Sequence, residues 1–396
     1  MKDITVIGAG PSGLSCAIEA KKQGFSCLVT DRGTITNSIY HFPQNMTFFS
    51  SAELMEIGDI PFIISGDKPK RVDALKYYWH TAKYFQLELN LYTDVLYIVQ
   101  KEDFFTVKTS RGDFESKNVI FATGYYDNPN LLGVPGEDLP HVSHYYSDPH
   151  KYIHNKVVIT GGNNSAVEAA LELYRYGVNV TLIHRGDGPG KGVKYWVLPD
   201  IKNRIENKEI PVMFETTVQE IKEKSITVSQ KGHISEIPAD SVLLLTGYHP
   251  DFSFIKKSGV NIDSETLVPD FDPDTGETNI PGIYIAGSLQ AGRDANKIFI
   301  ENGRLHGKII IDSIRKNSVK EEKHACEITC LNDSAYRITG DFVIKDGTGK
   351  DFDLSGRKAI SLCRCGEAKN KPFCDGAHKG SFQSKIEARI LPPPAK

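Results

Sequence analysis

Apolar and polar positions along the chain fall into two similar units and a third, shorter pattern. The first unit begins with an apolar run, Ile4 to Ile7, which meets Gly8-Ala9-Gly10-Pro11-Ser12-Gly13. An amphipathic segment follows to Gln23, then a second apolar run, then Asp31. That order predicts strand, tight turn, helix, strand and acid. The second unit predicts a strand from Lys156 to Thr160, a turn at Gly161-Gly162-Asn163-Asn164-Ser165-Ala166, a helix to Tyr176 and a strand from Val178 to Ile183. Between them, Asp73 to Phe85 has helical periodicity. Lys101 to Arg111 and Asp113 to Ser116 read as strands joined at Arg111-Gly112, and Asn118 to Ala122 as a short buried strand. Ser241 to Leu245 is another apolar strand. Asn279 to Gly287 reads as a turn and a strand able to rejoin the first sheet, and Lys297 to Ile314 as one long helix. The charged stretch Lys316 to His324 reads as a linker, followed by short β-like stretches at Tyr336 to Ile338 and Phe342 to Lys345. Residues 34–62, rich in Thr, Ser, Asn and aromatics, fit no single element. They suit either a loop and short helix lying over a bound ring system or a surface loop with its own small cluster.

Composition narrows the class without changing this picture. The 396 residues suffice for two or three domains, and 40% hydrophobic with 24% charged content is that of an ordinary soluble protein. A net charge of −3 gives no sign of bulk nucleic-acid binding. No apolar run approaches a membrane span, and the chain starts directly on a strand without a signal peptide. Seven cysteines, three of them clustered late, suit a reducing, cytoplasmic setting with a metal site better than a disulfide framework.

The chemistry lies in the turns. In the first, Gly8 permits the sharp bend, Gly10 lets backbone N–H groups approach a pyrophosphate, and Gly13 lets helix and strand pack closely. Asp31 is placed to accept from a ribose hydroxyl. Ala122-Thr123-Gly124 and Thr246-Gly247 form matching turns at carboxyl ends of strands, where ligands bind in open α/β sheets. The second fingerprint departs twice, with Asn163 at the second glycine and Ala166 at the third. Its second strand ends in His184-Arg185 rather than an acid, with Lys191 close by; a cation there suits a 2′-phosphate, so NADPH is expected rather than NADH. Near the C-terminus, Cys363, Cys365, Cys374 and His378 form a compact set of three thiols and one imidazole, suited to zinc or an iron–sulfur cluster.

Two fingerprints, two strand-exit turns and a late returning strand resemble the two-dinucleotide-domain flavoprotein disulfide reductases typified by thioredoxin reductase. The runs Asn37 to Tyr40, Phe48 to Ser51, Glu56 to Phe62, Ala122 to Tyr126, Thr246 to Pro250 and Phe299 to Arg304 are most similar to the bacillithiol-disulfide (bacilliredoxin) reductase branch. The run Lys371 to His378 resembles the CDGSH iron–sulfur family. The resemblance implies a fold of two Rossmann-like domains of thioredoxin-reductase type plus a small β-rich domain. It places FAD on Gly8, Gly10, Pro11, Ser12, Gly13, Asp31, Ala122, Thr123, Gly124 and Gly287. NADPH falls on Gly161, Gly162, Asn163, Asn164, Ser165, Ala166, His184, Arg185 and Lys191, and a [2Fe–2S] cluster on Cys363, Cys365, Cys374 and His378.

The expected domains are 1–128 with 252–316 for FAD, 129–251 for NADPH, a linker at 317–324 and the cluster domain at 325–396. The chain also departs from these families. It has no Cys-x-x-Cys, Ser12 stands where the bacillithiol branch often has cysteine, Ser288 replaces a usual aspartate, and Ala368 a usual serine or threonine. Cys16 and Cys27 are expected as small buried hydrophobes, and Cys326 and Cys330 as structural. The expected activity is transfer of electrons from NADPH through FAD to the fused cluster and on to an unknown acceptor, a small disulfide or a redox protein. Direct disulfide reduction at the flavin, and a non-catalytic redox sensor or cluster-transfer protein, are the alternatives. Both resembled families imply a homodimer.

Overall fold

The computed structural model describes residues 1–321 and 326–388, with backbone alone at 319–321. The chain divides into two compact units, Met1–Ile314 and Arg315–Lys396.

In the first unit, strand β1 (Lys2–Ile7), helix α1 (Pro11–Lys22) and strand β2 (Cys27–Thr30) follow the expected order. Pro11 starts the helix where its missing N–H costs nothing. Among the described residues, β1 and β2 lie in a seven-stranded sheet in the order Glu88–Asn90, β2, β1, Phe114–Phe121, Phe105–Thr109, Val95–Gln100, with Ile283–Ile285 also on Phe114–Phe121. The two strands expected at 113–116 and 118–122 are therefore one. Its far edge is shared: Phe114 to Ser116 pair antiparallel with Phe105 to Val107, and Val119 to Phe121 pair parallel with Ile283 to Ile285. The late strand does rejoin the first sheet.

A second, parallel sheet runs Val212–Met213, Asn179–Ile183, Lys156–Thr160, Ser241–Leu244, Val142–Ser143. Helix Asn164–Arg175 covers it, and a three-stranded antiparallel meander from Thr216 to Pro238 packs beside it.

The irregular 34–62 excursion belongs to the core rather than to a surface loop. Phe48, Met55, Ile57 and Phe62 are buried with Tyr77 and Tyr78 of helix Arg71–Tyr84. Phe62 stacks on Tyr77 at 4.2 Å. The two tyrosines fix the excursion's backbone, Tyr78 donating to the Met55 carbonyl (2.9 Å) and Tyr77 to that of Ile60 (2.8 Å). Full burial of each such side chain is worth about 1.5–3 kcal/mol.

Three expectations are corrected. The segment from Lys297 to Ile314 is not one helix: Ile298 and Phe299 are extended, Ile300–Gly303 makes a single turn, and a new helix runs His306–Glu321. Asn302 Oδ1 accepts from Phe299 N (2.8 Å), capping that turn, while Gly303 and Gly307 lie against Ser12 and Ser15, where a Cβ would crowd both. Helix also replaces the expected linker through Glu321; 322–324 lie outside the described residues. In the second unit the small sheet is Glu327–Cys330, Tyr336–Thr339, Ala359–Leu362, whereas Phe342 to Lys345 contributes only an isolated bridge from Lys345 to Asp351.

Candidate functional site

The first turn has the geometry of a phosphate cradle. Gly8 has φ +112°, and a Cβ there would overlap the Ala122 carbonyl, which ties the turn to the end of Phe114–Phe121. A Cβ on Gly13 would overlap the Gly8 carbonyl, so the helix can sit this close only with glycine. At Gly10, by contrast, a Cβ would meet no atom within 4 Å. That open face borders a cleft of about 880 Å³ lined by Gly10, Pro11, Ser12, Asp31, the Ala122–Gly124 turn and Gly287. Asp31 Oδ2 accepts from Ala9 N (2.7 Å) and Oδ1 from Gly33 N (2.8 Å). Burial, with a smaller contribution from Asp127, pushes its carboxyl above the usual range despite those two donors. Thr36, fully buried at φ 49°, also lines the cleft, and its hydroxyl has no partner among the described residues. An open glycine face, an acid at the second strand end and an unpartnered buried hydroxyl fit a dinucleotide.

Ser12 lines the same cleft, its Oγ wedged where a Cβ on Gly287 (φ +70°) or Gly303 would stand 2.9 or 2.7 Å away. His306 Nδ1 accepts from Gly287 N at 3.0 Å. Burial holds that imidazole below its ordinary pKa.

The second turn repeats the first. Gly161 has φ +150°, with its notional Cβ overlapping the Leu245 carbonyl, and Ala166 is buried. Asn164 and Ser165 line the cleft with the first-turn residues. Gly161, Gly162, Asn163, Ala166, His184, Arg185 and Lys191 do not, and lie around the turn outside it. Arg185 and Lys191 are exposed. Burial, then the neighbouring Arg185, lowers the His184 pKa.

Lys194, Phe49, Trp196 and Phe299 were not singled out as site residues. The Lys194 ammonium stands 4.7 Å from the Phe49 ring centre and 5.4 Å from that of Phe299, and Phe49 meets Trp196 edge-on at 5.4 Å. These contacts cross the cleft between the two sheets, worth about 0.5–1 kcal/mol each where exposed. The aromatic richness of 34–62 was the available signal.

In the second unit a short bridge assembles the thiols. Leu362 pairs with Phe373, Cys363 N donates to the Pro372 carbonyl and Cys374 N to that of Ser361, both at 2.8 Å. The four side chains then fall into two pairs: Cys363 Sγ to Cys365 Sγ at 3.7 Å, and Cys374 Sγ to His378 Nδ1 at 3.4 Å. Among the described residues no group of three or more potential ligands gathers about a single point. The Ala368 backbone N–H, with that of Gly366, lowers the Cys363 pKa towards thiolate. His378 turns Nε2 to Ser334 Oγ (3.3 Å), leaving Nδ1 for a metal. Asp375 accepts from Lys369 N (2.7 Å) and Ala377 N (3.1 Å), bracing the loop. Three thiols and an imidazole on a braced loop are a donor set that suits a bound metal centre. Cys16 is buried, as expected, whereas Cys27 is only partly buried against the core. Cys326 and Cys330 are both exposed.

Comparison with known proteins agrees with both units. Residues 5–287 match the family described as pyridine nucleotide-disulphide oxidoreductase, and residues 333–379 that described as iron-binding zinc finger CDGSH type. The chain is 44% identical to the bacilliredoxin reductase Bdr of Bacillus subtilis (strain 168) over 313 residues, 78% of this chain and 97% of that protein. It is 27% identical to a ferredoxin–NADP reductase of Ignicoccus hospitalis, covering 73% and 90%. The solved bacillithiol disulfide reductase Bdr (YpdA) from Bacillus cereus superposes with a TM-score of 0.78 at 42% identity, covering 80% of this chain and 99% of that one.

Proposed function

The chain belongs to the pyridine nucleotide-disulphide oxidoreductase family, and we propose that it is an NADPH-dependent FAD oxidoreductase serving a [2Fe–2S] cluster in its own C-terminal unit and, through it, an acceptor. The observation that carries this reading is the two-and-two grouping of Cys363 with Cys365 and Cys374 with His378 in a chain that also holds two dinucleotide turns. When bound, a flavin takes up a hydride as two electrons and releases them singly, and a two-iron cluster carries one at a time.

The residues divide the work. Gly10, Thr36 and Asp31 hold the first dinucleotide, and Gly8 and Gly13 allow the approach. Asn164 and Ser165 present the start of their helix to the second, with Arg185 and Lys191 placed for a 2′-phosphate. Cys363, Cys365, Cys374 and His378 hold the irons, and Ser334 fixes the imidazole tautomer. The domain limits of the expected assignment, a homodimer and a cytoplasmic setting belong to the same proposal. No helix among the described residues is long and apolar enough to cross a membrane.

The thiol inventory supports an electron route out of the flavin unit that uses no thiol there. The cysteines before residue 322 are Cys16, buried in the core of the first unit, and Cys27, partly buried against that core. Burial pushes the Cys27 thiol up to about 12 and Cys16 higher still, so neither supplies thiolate near neutrality. Ser12 offers no sulfur to the cleft. The second reading, direct reduction of a disulfide at the flavin, is favoured by the 44% identity to a bacilliredoxin reductase. Steady-state NADPH oxidation with wild type and Cys374→Ser separates the two. The proposal expects the variant to keep its flavin but lose electron delivery to a one-electron protein acceptor such as cytochrome c. Equal turnover of that acceptor would refute it. Disulfide reduction unaffected by the substitution would favour the second reading.

A further inference from the structure

One of the two departures of the second dinucleotide turn, Asn163 at the second glycine, has a partner in the structure. Where Gly10 faces open space, Asn163 turns its side chain onto the glycine-rich segment Gly186-Asp187-Gly188-Pro189-Gly190-Lys191-Gly192 that follows the second strand of its unit. Gly192 N donates to Asn163 Oδ1 (3.3 Å), and Lys194 N to Asn164 Oδ1 (3.3 Å). Gly190 N donates to the Gly162 carbonyl at 2.8 Å. The glycines are fitted to this contact: a Cβ on Gly190 would overlap Asn163 Oδ1 and stand 2.9 Å from the Gly162 carbonyl, and one on Gly192 would stand 3.0 Å from Asn163 Oδ1. On the other side the His184 ring lies against Gly162, and a Cβ on Gly186 would be 2.7 Å from His184 Nε2.

We propose that Asn163 is a positioning residue for the nicotinamide nucleotide. It holds segment 186–192 against the second turn, so that Arg185 just before it and Lys191 within it stand ready for the 2′-phosphate. This rests on the reading of the second dinucleotide turn as the NADPH site. A glycine at 163 would give phosphates more room but leave the segment untied, losing a preorganised contact. An asparagine that merely crowded the phosphate would have the opposite effect when removed.

Calorimetric binding of adenosine 2′,5′-bisphosphate and of 5′-AMP to the full chain tests the proposal. Wild type binds the bisphosphate more tightly. Asn163→Gly weakens that binding roughly 3- to 10-fold, the scale of one lost hydrogen bond, and narrows the preference over 5′-AMP. Gly190→Ala, which displaces the segment with Asn163 intact, does the same. The double variant is no weaker than the weaker single one, because both act through one segment. Each variant must keep the flavin content and unfolding midpoint of wild type, which separates lost positioning from lost folding. Unchanged or tighter binding by Asn163→Gly, or losses that multiply in the double variant, overturns the proposal alone. Wild type that binds neither ligand overturns the NADPH reading instead, and this inference with it.

Discussion

Replacing Gly10 by alanine should separate binding from folding at the first turn. Gly10 has φ −74°, a value any residue adopts, and a Cβ there meets nothing within 4 Å. The flavin-free protein should therefore be no less stable, and could gain about 0.4–1 kcal/mol from a stiffer unfolded chain. The new methyl projects into the face a pyrophosphate must occupy. Overpacking at such a contact costs about 1–3 kcal/mol, which weakens FAD binding about 5- to 150-fold. Gly13→Ala should behave differently, because its Cβ would overlap the Gly8 carbonyl and stand 3.3 Å from Ala122 Cβ. It should lower the apo unfolding midpoint itself. The assay is thermal unfolding of apo protein together with FAD titration followed by flavin fluorescence. A Gly10→Ala apo protein markedly less stable than wild type, or one that binds FAD as tightly, would refute the reasoning.

Other consequences can be measured independently. Ser334→Ala removes the partner of His378 Nε2; metal retention against a chelator should fall about 10- to 100-fold, the usual scale for a lost partner of a ligating histidine, with Ser334→Thr restoring much of it. Alkylation of the native, metal-loaded protein at pH 8, mapped by mass spectrometry, should label Cys326 and Cys330 and spare Cys16 and Cys27, since a thiol pushed up to about 12 carries roughly a thousandfold less thiolate than an ordinary one; early labelling of Cys27 would contradict its burial. Burial depresses the His306 pKa in the fold, so the unfolded chain binds the extra proton and stability is lost as pH falls below the ordinary histidine value of 6.5. His306→Gln, which keeps an acceptor for Gly287 N, should flatten part of that slope in unfolding measurements between pH 7 and 5.

The first strand, turn and helix could be read directly because their glycines answer local backbone demands: a positive φ at Gly8 and a close helix at Gly13. The ligand set Cys363, Cys365, Cys374, His378 was equally visible, but its grouping into two pairs was not, since that depends on the bridge between Leu362 and Phe373. The remaining misreadings have distant causes. Lys117 and Asn118 interrupt an apolar pattern, and the strand continues through them because its edge partner changes from Phe105–Thr109 to Ile283–Ile285, more than 150 residues later. The break before His306 follows from Gly303 and Gly307 meeting Ser12 and Ser15 of α1, contacts no local pattern reports. The charged residues to Glu321 read as linker because a solvated helix and a linker share the same composition.

The proposed function turns on electron delivery from the nucleotide to the C-terminal unit. Anaerobic titration of the flavin- and cluster-loaded chain with NADPH, followed by absorbance and by electron paramagnetic resonance, tests it most directly. Flavin bleaching should be accompanied by the spectrum of a reduced two-iron cluster, approaching one spin per chain. A flavin that bleaches fully while the cluster stays oxidised would contradict it.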